Sequence, residues 1–154
     1  MRKKIFLALA ILWMGTIFYM SNQPANISTV QSDGVINILS GVPVLGGVMD
    51  VLISNGTASF VIRKSAHMFS YGLLSILLFM SIYDNYKSIN KTSIISFIIT
   101  FLYACSDEFH QTFILGRSGE FRDVLVDSTG AIIFLLIVIL ITTFIKKKKG
   151  PSHK

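Results

Sequence analysis

The stretch VLVDSTGAIIFLLIVILITTFI, residues 124–145, decides the fold class of this chain. It contains one charged residue, Asp127, and it runs into four consecutive lysines at residues 146–149. A helix of about 20 mostly apolar residues crosses the hydrocarbon core of a bilayer. The pattern therefore predicts a transmembrane helix that stops at a basic flank.

Three further apolar stretches, at about residues 5–20, 61–83 and 94–113, predict three more spanning helices. The whole chain is 52% hydrophobic and 14% charged, whereas soluble domains carry about 25% charged residues. Bulky residues at 18–20, where a signal peptide has small ones, indicate that the first helix is not cleaved. We therefore expect an all-α integral membrane protein, a bundle of four transmembrane helices, with residues 1–154 forming a single domain.

Residues 35–53 are apolar but too interrupted to span a bilayer. The interruptions are Gly41, Pro43, Gly46 and Gly47. A polar stretch, residues 21–34, precedes them. We expect a short interfacial or re-entrant helical segment between the first and second spanning helices.

The basic residues predict that both termini are cytoplasmic. One side of the membrane would hold Arg2, Lys3, Lys4, Lys87, Lys91 and residues 146–149, and the other would hold Arg63, Lys64, Arg117 and Arg122. The larger group belongs on the cytoplasmic side by the positive-inside rule, and residues 146–154 would form a basic cytoplasmic tail. Because these residues cluster at the ends of apolar stretches, the net charge of +6 indicates contact with lipid headgroups and not with nucleic acid.

Each spanning helix is expected to bring polar residues to the same, outer end. They are Ser21, Asn22 and Gln23, then Arg63, Lys64, His67 and Tyr71, then Asp107, Glu108, His110 and Gln111, and finally Asp123 and Asp127. Within each helix most of them are three or four positions apart and so share one face. Since charge inside a bilayer is costly, we expect these faces to point inward around a water-filled pocket. Pairing with Lys64, Arg117 or Arg122 would offset the cost of placing His67 and Asp127 inside the helix ends.

The alternative is that these residues sit among the headgroups and form ion pairs that lock the bundle. For Arg63, Glu120 and Arg122, each taken singly, we favour this simpler interpretation. For His67 together with its polar neighbours we favour a site. Those neighbours are Asp107, Glu108, Arg117, Asp123 and Asp127.

The candidate site has two sets of residues. His67, Glu108 and Asp107 are the candidate catalytic residues, with His67 or Glu108 as general acid or base. The candidate ligand-binding residues are Gln23, Lys64, Tyr71, Gln111, Arg117, Asp123 and Asp127. The planar fork of Arg117 suits a phosphate or carboxylate, so the expected ligand is an anionic headgroup, such as the diphosphate of a lipid-linked wall precursor. A divalent metal is less favoured, because no HExxH or comparable spacing is present, and we assign neither metal ligands nor another cofactor.

These same residues carry a resemblance to the VanZ-like family. The motifs are Ser21-Asn22-Gln23-Pro24, Arg63-Lys64-Ser65-Ala66-His67 with Tyr71-Gly72, Asp107-Glu108-Phe109-His110-Gln111, Gly116-Arg117, and residues 123–130. The third is the most specific. The chain departs from the family pattern at Asp127, where Asn is frequent, and at Leu115, where Pro is frequent.

The resemblance implies a location in the bacterial cytoplasmic membrane and a role in the cell envelope. The founding member of the family is linked to resistance to teicoplanin in Gram-positive bacteria, but the resemblance supplies no biochemical mechanism. Two hypotheses follow: a factor that binds a lipid-linked wall component and changes glycopeptide susceptibility, or a membrane-embedded hydrolase or transferase that uses His67 and Glu108. A small transporter is a weaker third, because the polar residues avoid the inner half of the bilayer. The sequence does not indicate an oligomeric state.

Overall fold

The computed structural model describes residues 1–148, and this part of the chain consists of helices with no strand. The helices are α1 (Arg2–Ser21), α2 (Ala25–Ser40), α3 (Gly46–Ser54), α4 (Ala58–Tyr86), α5 (Ile89–Gln111) and α6 (Phe121–Lys148). Four of them, α1, α4, α5 and α6, are long and apolar enough to cross a membrane. The predicted fold class and the four predicted spans are confirmed.

The α4 helix occupies the centre of the bundle and packs against each of the other five helices. Its residues Tyr71, Leu74 and Leu78 form a buried cluster with Ala10 of α1 and Ala104 of α5. The long helices alternate in direction, so α4 and α6 are parallel neighbours. Because these two helices are parallel, polar residues at the same depth in α4 and α6 lie side by side.

Two glycines allow α4 and α6 to approach closely. A Cβ atom added at Gly130 would collide with the backbone carbonyl of Met68, and one added at Gly72 would lie 2.6 Å from the Phe134 ring. Small residues at helix contacts are the usual solution in membranes, because lipid tails are as apolar as leucine and close packing must hold the helices together.

At one end of the bundle, the start of α1 and the last turn of α6 both contact the C-terminal end of α4. Lys3 Nζ donates a hydrogen bond to Asn85 Oδ1 at 2.9 Å, and Lys146 Nζ lies 5.2 Å from the centre of the Tyr83 ring. We call this the basic end. The opposite end, where Ser21, His67, Gln111 and Asp123 lie, is called the polar end.

The segment between the first two spans is a pair of helices, as expected, but α2 begins at Ala25, well inside the stretch that hydropathy marks as polar. Its residues Ser28, Ser32 and Ile36 are buried, whereas Val30 and Ile38 are exposed. Two of the three buried positions are thus serines, and the exposed surface carries both apolar and polar residues. Average hydropathy does not reveal a helix of this kind.

The helix ends differ modestly from the predicted bounds. The α5 helix ends at Gln111, so the connecting loop covers residues 112–120, and Gly116 within it has a φ of +76°, which favours glycine. The α6 helix continues through Lys148. Residues 146–148 of the expected tail are therefore helical, and the rest of that tail, residues 149–154, lies outside the described residues.

Candidate functional site

One buried carboxylate, that of Asp107, joins three helices at the polar end. Its Oδ2 atom accepts hydrogen bonds from Ser21 Oγ at 2.8 Å, Tyr71 OH at 2.9 Å and Gln111 Nε2 at 3.1 Å. Hydrogen bonds to an ionised group are stronger than those between neutral groups. Asp107, a candidate catalytic residue from the sequence, is therefore engaged in holding α1, α4 and α5 together.

Arg117 fastens the loop 112–120 to the end of α1. Its Nε donates to the carbonyl of Gln23 at 2.8 Å, its Nη2 to the carbonyl of Met20 at 3.3 Å, and its Nη1 to Gln111 Oε1 at 3.1 Å. Gln23 enters the site only through its backbone, because its side-chain amide donates to the carbonyl of Tyr19. Arg117 thus has a structural role in addition to any ligand it binds.

The electrostatic surroundings of Arg117 are mixed. Burial and the positive charge of Arg63 lower the pKa of the Arg117 guanidinium, while the carboxylates of Asp107 and Glu108 oppose this shift. Two cations therefore lie close enough to repel each other at the polar end.

The parallel helices α4 and α6 pair their polar residues turn by turn. Lys64 forms an ion pair with Asp123, and one turn further along His67 Nδ1 lies 3.4 Å from Asp127 Oδ1. In the described part of the chain His67 and Asp127 therefore face each other, and neither forms an ion pair with Lys64, Arg117 or Arg122. Because both helices run from the polar end, residues at matching depth meet, and Lys64 meets Asp123 first.

Asp127 is fully buried, and neither of its carboxylate oxygens accepts a hydrogen bond from residues 1–148. Glu108 is also buried, with Oε1 accepting from Gln111 Nε2 at 3.3 Å and Oε2 from the backbone N–H of Glu120 at 3.2 Å. One donor atom from each of His67, Glu108 and Asp127 lies within 4.8 Å of the other two. We call these three residues the carboxylate–histidine cluster.

Two cavities meet at the polar end. The apolar cavity, of about 340 Å³, lies between α1, α2 and α4, and its walls include Trp13, Ile17, Ser32 and Val35. The polar cavity, of about 430 Å³, lies between α4, α6 and the loop. The charged residues in its walls are Arg63, Lys64, Arg117, Glu120, Arg122 and Asp123. Arg63, His67 and Arg117 line both cavities.

Arg63 is the residue that sequence reasoning missed. It lines both cavities, yet it makes no hydrogen bond or ion pair with any residue in the described part of the chain. Taken singly, its sequence position indicates only a helix-end residue. Its position four residues before His67, on the same helix face, is the signal that could have placed it in the site.

His110 lies apart from the cluster, although the sequence placed it at the same end. Its Nε2 is 3.2 Å from Asn22 Oδ1, and its ring centre is 4.7 Å from that of Phe18. The two histidines of the spanning helices therefore occupy different environments.

The match to known proteins covers this whole region. A family model described as VanZ/LLP1 matches residues 6–142. The chain belongs to the VanZ/LLP1 family. No curated protein and no solved structure matches it. All residues that line the two cavities, and all three cluster residues, fall inside the VanZ/LLP1 match.

Proposed function

We propose that this VanZ/LLP1 protein binds an anionic, lipid-linked component of the bacterial cell envelope. The observation that carries the proposal is that an apolar and a polar cavity share Arg63, His67 and Arg117 as wall residues. An amphiphile with the part of its hydrocarbon chain nearest the headgroup in the first cavity would present its headgroup to the second. Ligand pockets of several hundred Å³ lined mainly by apolar groups, with a few polar ones, are typical of small-molecule sites.

The charges of the polar cavity favour an anion. Its walls carry four cations, Arg63, Lys64, Arg117 and Arg122, against two carboxylates, Glu120 and Asp123. An anionic group between Arg63 and Arg117 would relieve their mutual repulsion. Because guanidinium groups match phosphate oxygens in geometry, a phosphate or diphosphate is the expected headgroup.

The charge distribution also supports an outward-facing pocket in the cytoplasmic membrane. The basic end carries residues 2–4, 87, 91 and 146–148, a larger positive charge than the polar end. By the positive-inside rule the polar end then faces outward, where lipid-linked wall precursors and glycopeptides meet. Binding of such a precursor would change susceptibility to teicoplanin-type antibiotics.

The proposal is tested by titrating the purified full-length protein with undecaprenyl phosphate in detergent micelles. Undecaprenol, which lacks the phosphate, and inorganic phosphate, which lacks the chain, should both bind more weakly. Arg63→Gln should weaken binding of undecaprenyl phosphate about tenfold to hundredfold, because a hydrogen bond to a charged group contributes that much to affinity.

Arg2→Gln, the same change at the basic end, is the matched control and should bind like the unaltered protein. Arg117→Ala should also lower affinity, since it removes a cation shared by both cavities. Unchanged binding in both Arg63→Gln and Arg117→Ala would contradict the proposal.

A second candidate function is a membrane-embedded hydrolase or transferase that acts on the same lipid class. It is favoured by the position of His67, which lines both cavities and faces the buried Asp127 with Glu108 nearby. An imidazole and a carboxylate so placed suit general acid–base catalysis. His67→Ala should then abolish turnover without loss of folding, and absence of product from a panel of lipid-linked substrates would argue for binding alone.

A further inference from the structure

We propose that His67, Glu108 and Asp127 hold a divalent transition-metal ion such as Zn²⁺ or Mn²⁺. The three residues come from three different helices, α4, α5 and α6, and each offers one donor atom within 4.8 Å of the other two. Donors about 2.1 Å from a tetrahedral ion stand about 3.4 Å apart. Side-chain movements of about 1 Å would therefore bring the three donor atoms to bonding distance from one ion.

The state of Asp127 points to a bound cation. This carboxylate is 0% exposed, and neither oxygen accepts a hydrogen bond from residues 1–148. In the same part of the chain its single ion-pair contact is His67 Nδ1, at 3.4 Å. Burial of an ionised carboxylate is strongly unfavourable unless a partner compensates for the lost hydration, and the nearby lysine, Lys64, is already paired with Asp123.

Glu108 is held in position for a ligand role. One of its oxygens accepts from the Gln111 side chain and the other from the backbone N–H of Glu120. Gly119 packs so closely against the carbonyl of Glu108 that a Cβ atom there would collide with it. Hydrogen-bonded carboxylates are typical metal ligands, because such outer contacts fix the orientation of the donor oxygen.

The ligand types select the class of metal. An imidazole suits zinc and other transition ions, whereas carboxylates alone suit magnesium and calcium. A neutral His67 with two ionised carboxylates carries a charge of −2, which a divalent ion balances. Three protein ligands leave a coordination position open, as in catalytic zinc sites.

Metal binding at this cluster does not require that the cavities hold a lipid. The ligands span three helices, and no pair of them shows a local spacing that a motif would reveal. This explains why the sequence alone does not identify them.

The test uses the full-length protein, purified through a tag without histidine, treated with EDTA and dialysed. Calorimetric titration with Zn²⁺ or Mn²⁺ alone, together with mass-spectrometric measurement of retained metal, should show about one ion per chain. Asp127→Asn, Glu108→Gln and His67→Gln should each weaken affinity more than about 100-fold, since loss of an outer contact alone costs roughly 10-fold to 100-fold.

Two matched controls distinguish the cluster from its surroundings. Asp84→Asn removes an exposed carboxylate at the basic end of α4, and His110→Gln removes the other histidine of the spanning helices. Both should bind Zn²⁺ like the unaltered protein. Zn²⁺ should also raise the melting temperature of the unaltered protein and of both controls, but not that of Glu108→Gln, which gives a second measurement if Asp127→Asn fails to fold.

Uptake of neither ion by the EDTA-treated protein would overturn the proposal. So would binding that persists in Asp127→Asn and disappears in His110→Gln. Because no lipid is present in this experiment, either result would leave undecaprenyl phosphate binding untouched, and a failure of lipid binding would likewise leave the metal result standing.

Discussion

At the scale of single residues, Gly130 allows α6 to approach the backbone of Met68 closely. We expect Gly130→Ala to destabilise the protein by about 1–3 kcal/mol, because the added methyl group forces the two helices apart. Thermal unfolding in detergent, followed by circular dichroism, measures the effect.

The control for this prediction is Gly15→Ala in α1, where a Cβ atom would meet nothing within 4 Å. This change should alter stability by less than about 1 kcal/mol, the scale of intrinsic helix propensity. Equal destabilisation by the two variants would show that close packing at Gly130 does not limit stability.

The partners of individual residues were the least predictable feature. Helical spacing correctly indicated that Lys64 and His67 share a face, as do Asp123 and Asp127. It did not indicate that Lys64 pairs with Asp123 and leaves His67 to Asp127. That choice depends on the relative depth of two parallel helices, which is set by contacts such as Gly130 with Met68 and not by either sequence alone.

At the scale of elements, α2 forms one wall of the apolar cavity, and its serine face is the surface to test. Ser32 lines that cavity with 6% of its surface exposed, whereas Val30, on the opposite face, is 71% exposed. Ser32→Phe should fill the cavity and weaken binding of undecaprenyl phosphate at least about tenfold, since loss of contact for two buried methylene groups costs about 1.6 kcal/mol. Affinity for inorganic phosphate should be unchanged.

Val30→Phe is the matched control, because it adds the same ring outside the cavity. It should leave both affinities as they are. If Ser32→Phe binds undecaprenyl phosphate as tightly as Val30→Phe does, the hydrocarbon chain does not occupy this cavity.

The α2 helix also shows why hydropathy located the four spanning helices but missed the start of α2. The spanning helices are apolar over most of their surface, so length and composition suffice to find them. In α2 the buried positions are Ser28, Ser32 and Ile36, and the polar residues between 25 and 34 lower its average hydropathy. Its helical start becomes evident only from packing against α4.

At the scale of the whole molecule, the orientation in the membrane can be tested by labelling introduced cysteines. The native cysteine, Cys105, is first changed to Ser. Ser118→Cys then places a thiol on the exposed loop at the polar end, and Asn90→Cys places one on an exposed position at the basic end. An impermeant maleimide added to intact cells should label Ser118→Cys alone.

Labelling of Asn90→Cys should appear only after the cells are lysed, which makes it the control for membrane integrity. The opposite pattern would show that the orientation is reversed and that the pocket faces the cytoplasm. The sequence predicted the common end of the polar residues because four spans alternate in direction. It could not predict the apolar cavity, which arises from the space left between α1 and α2 where both pack on α4, or the polar cavity, which lies between α4, α6 and the loop 112–120.

His67 belongs to both cavities and to the carboxylate–histidine cluster, and this shared imidazole would link the two proposed binding equilibria thermodynamically. If Zn²⁺ multiplies the affinity for undecaprenyl phosphate by some factor, the lipid must multiply the affinity for Zn²⁺ by the same factor. Titrations with the two ligands in either order must give the same total free energy of binding. A factor above one would describe an ion that bridges protein and phosphate, and a factor below one would describe two ligands that compete for a single ring.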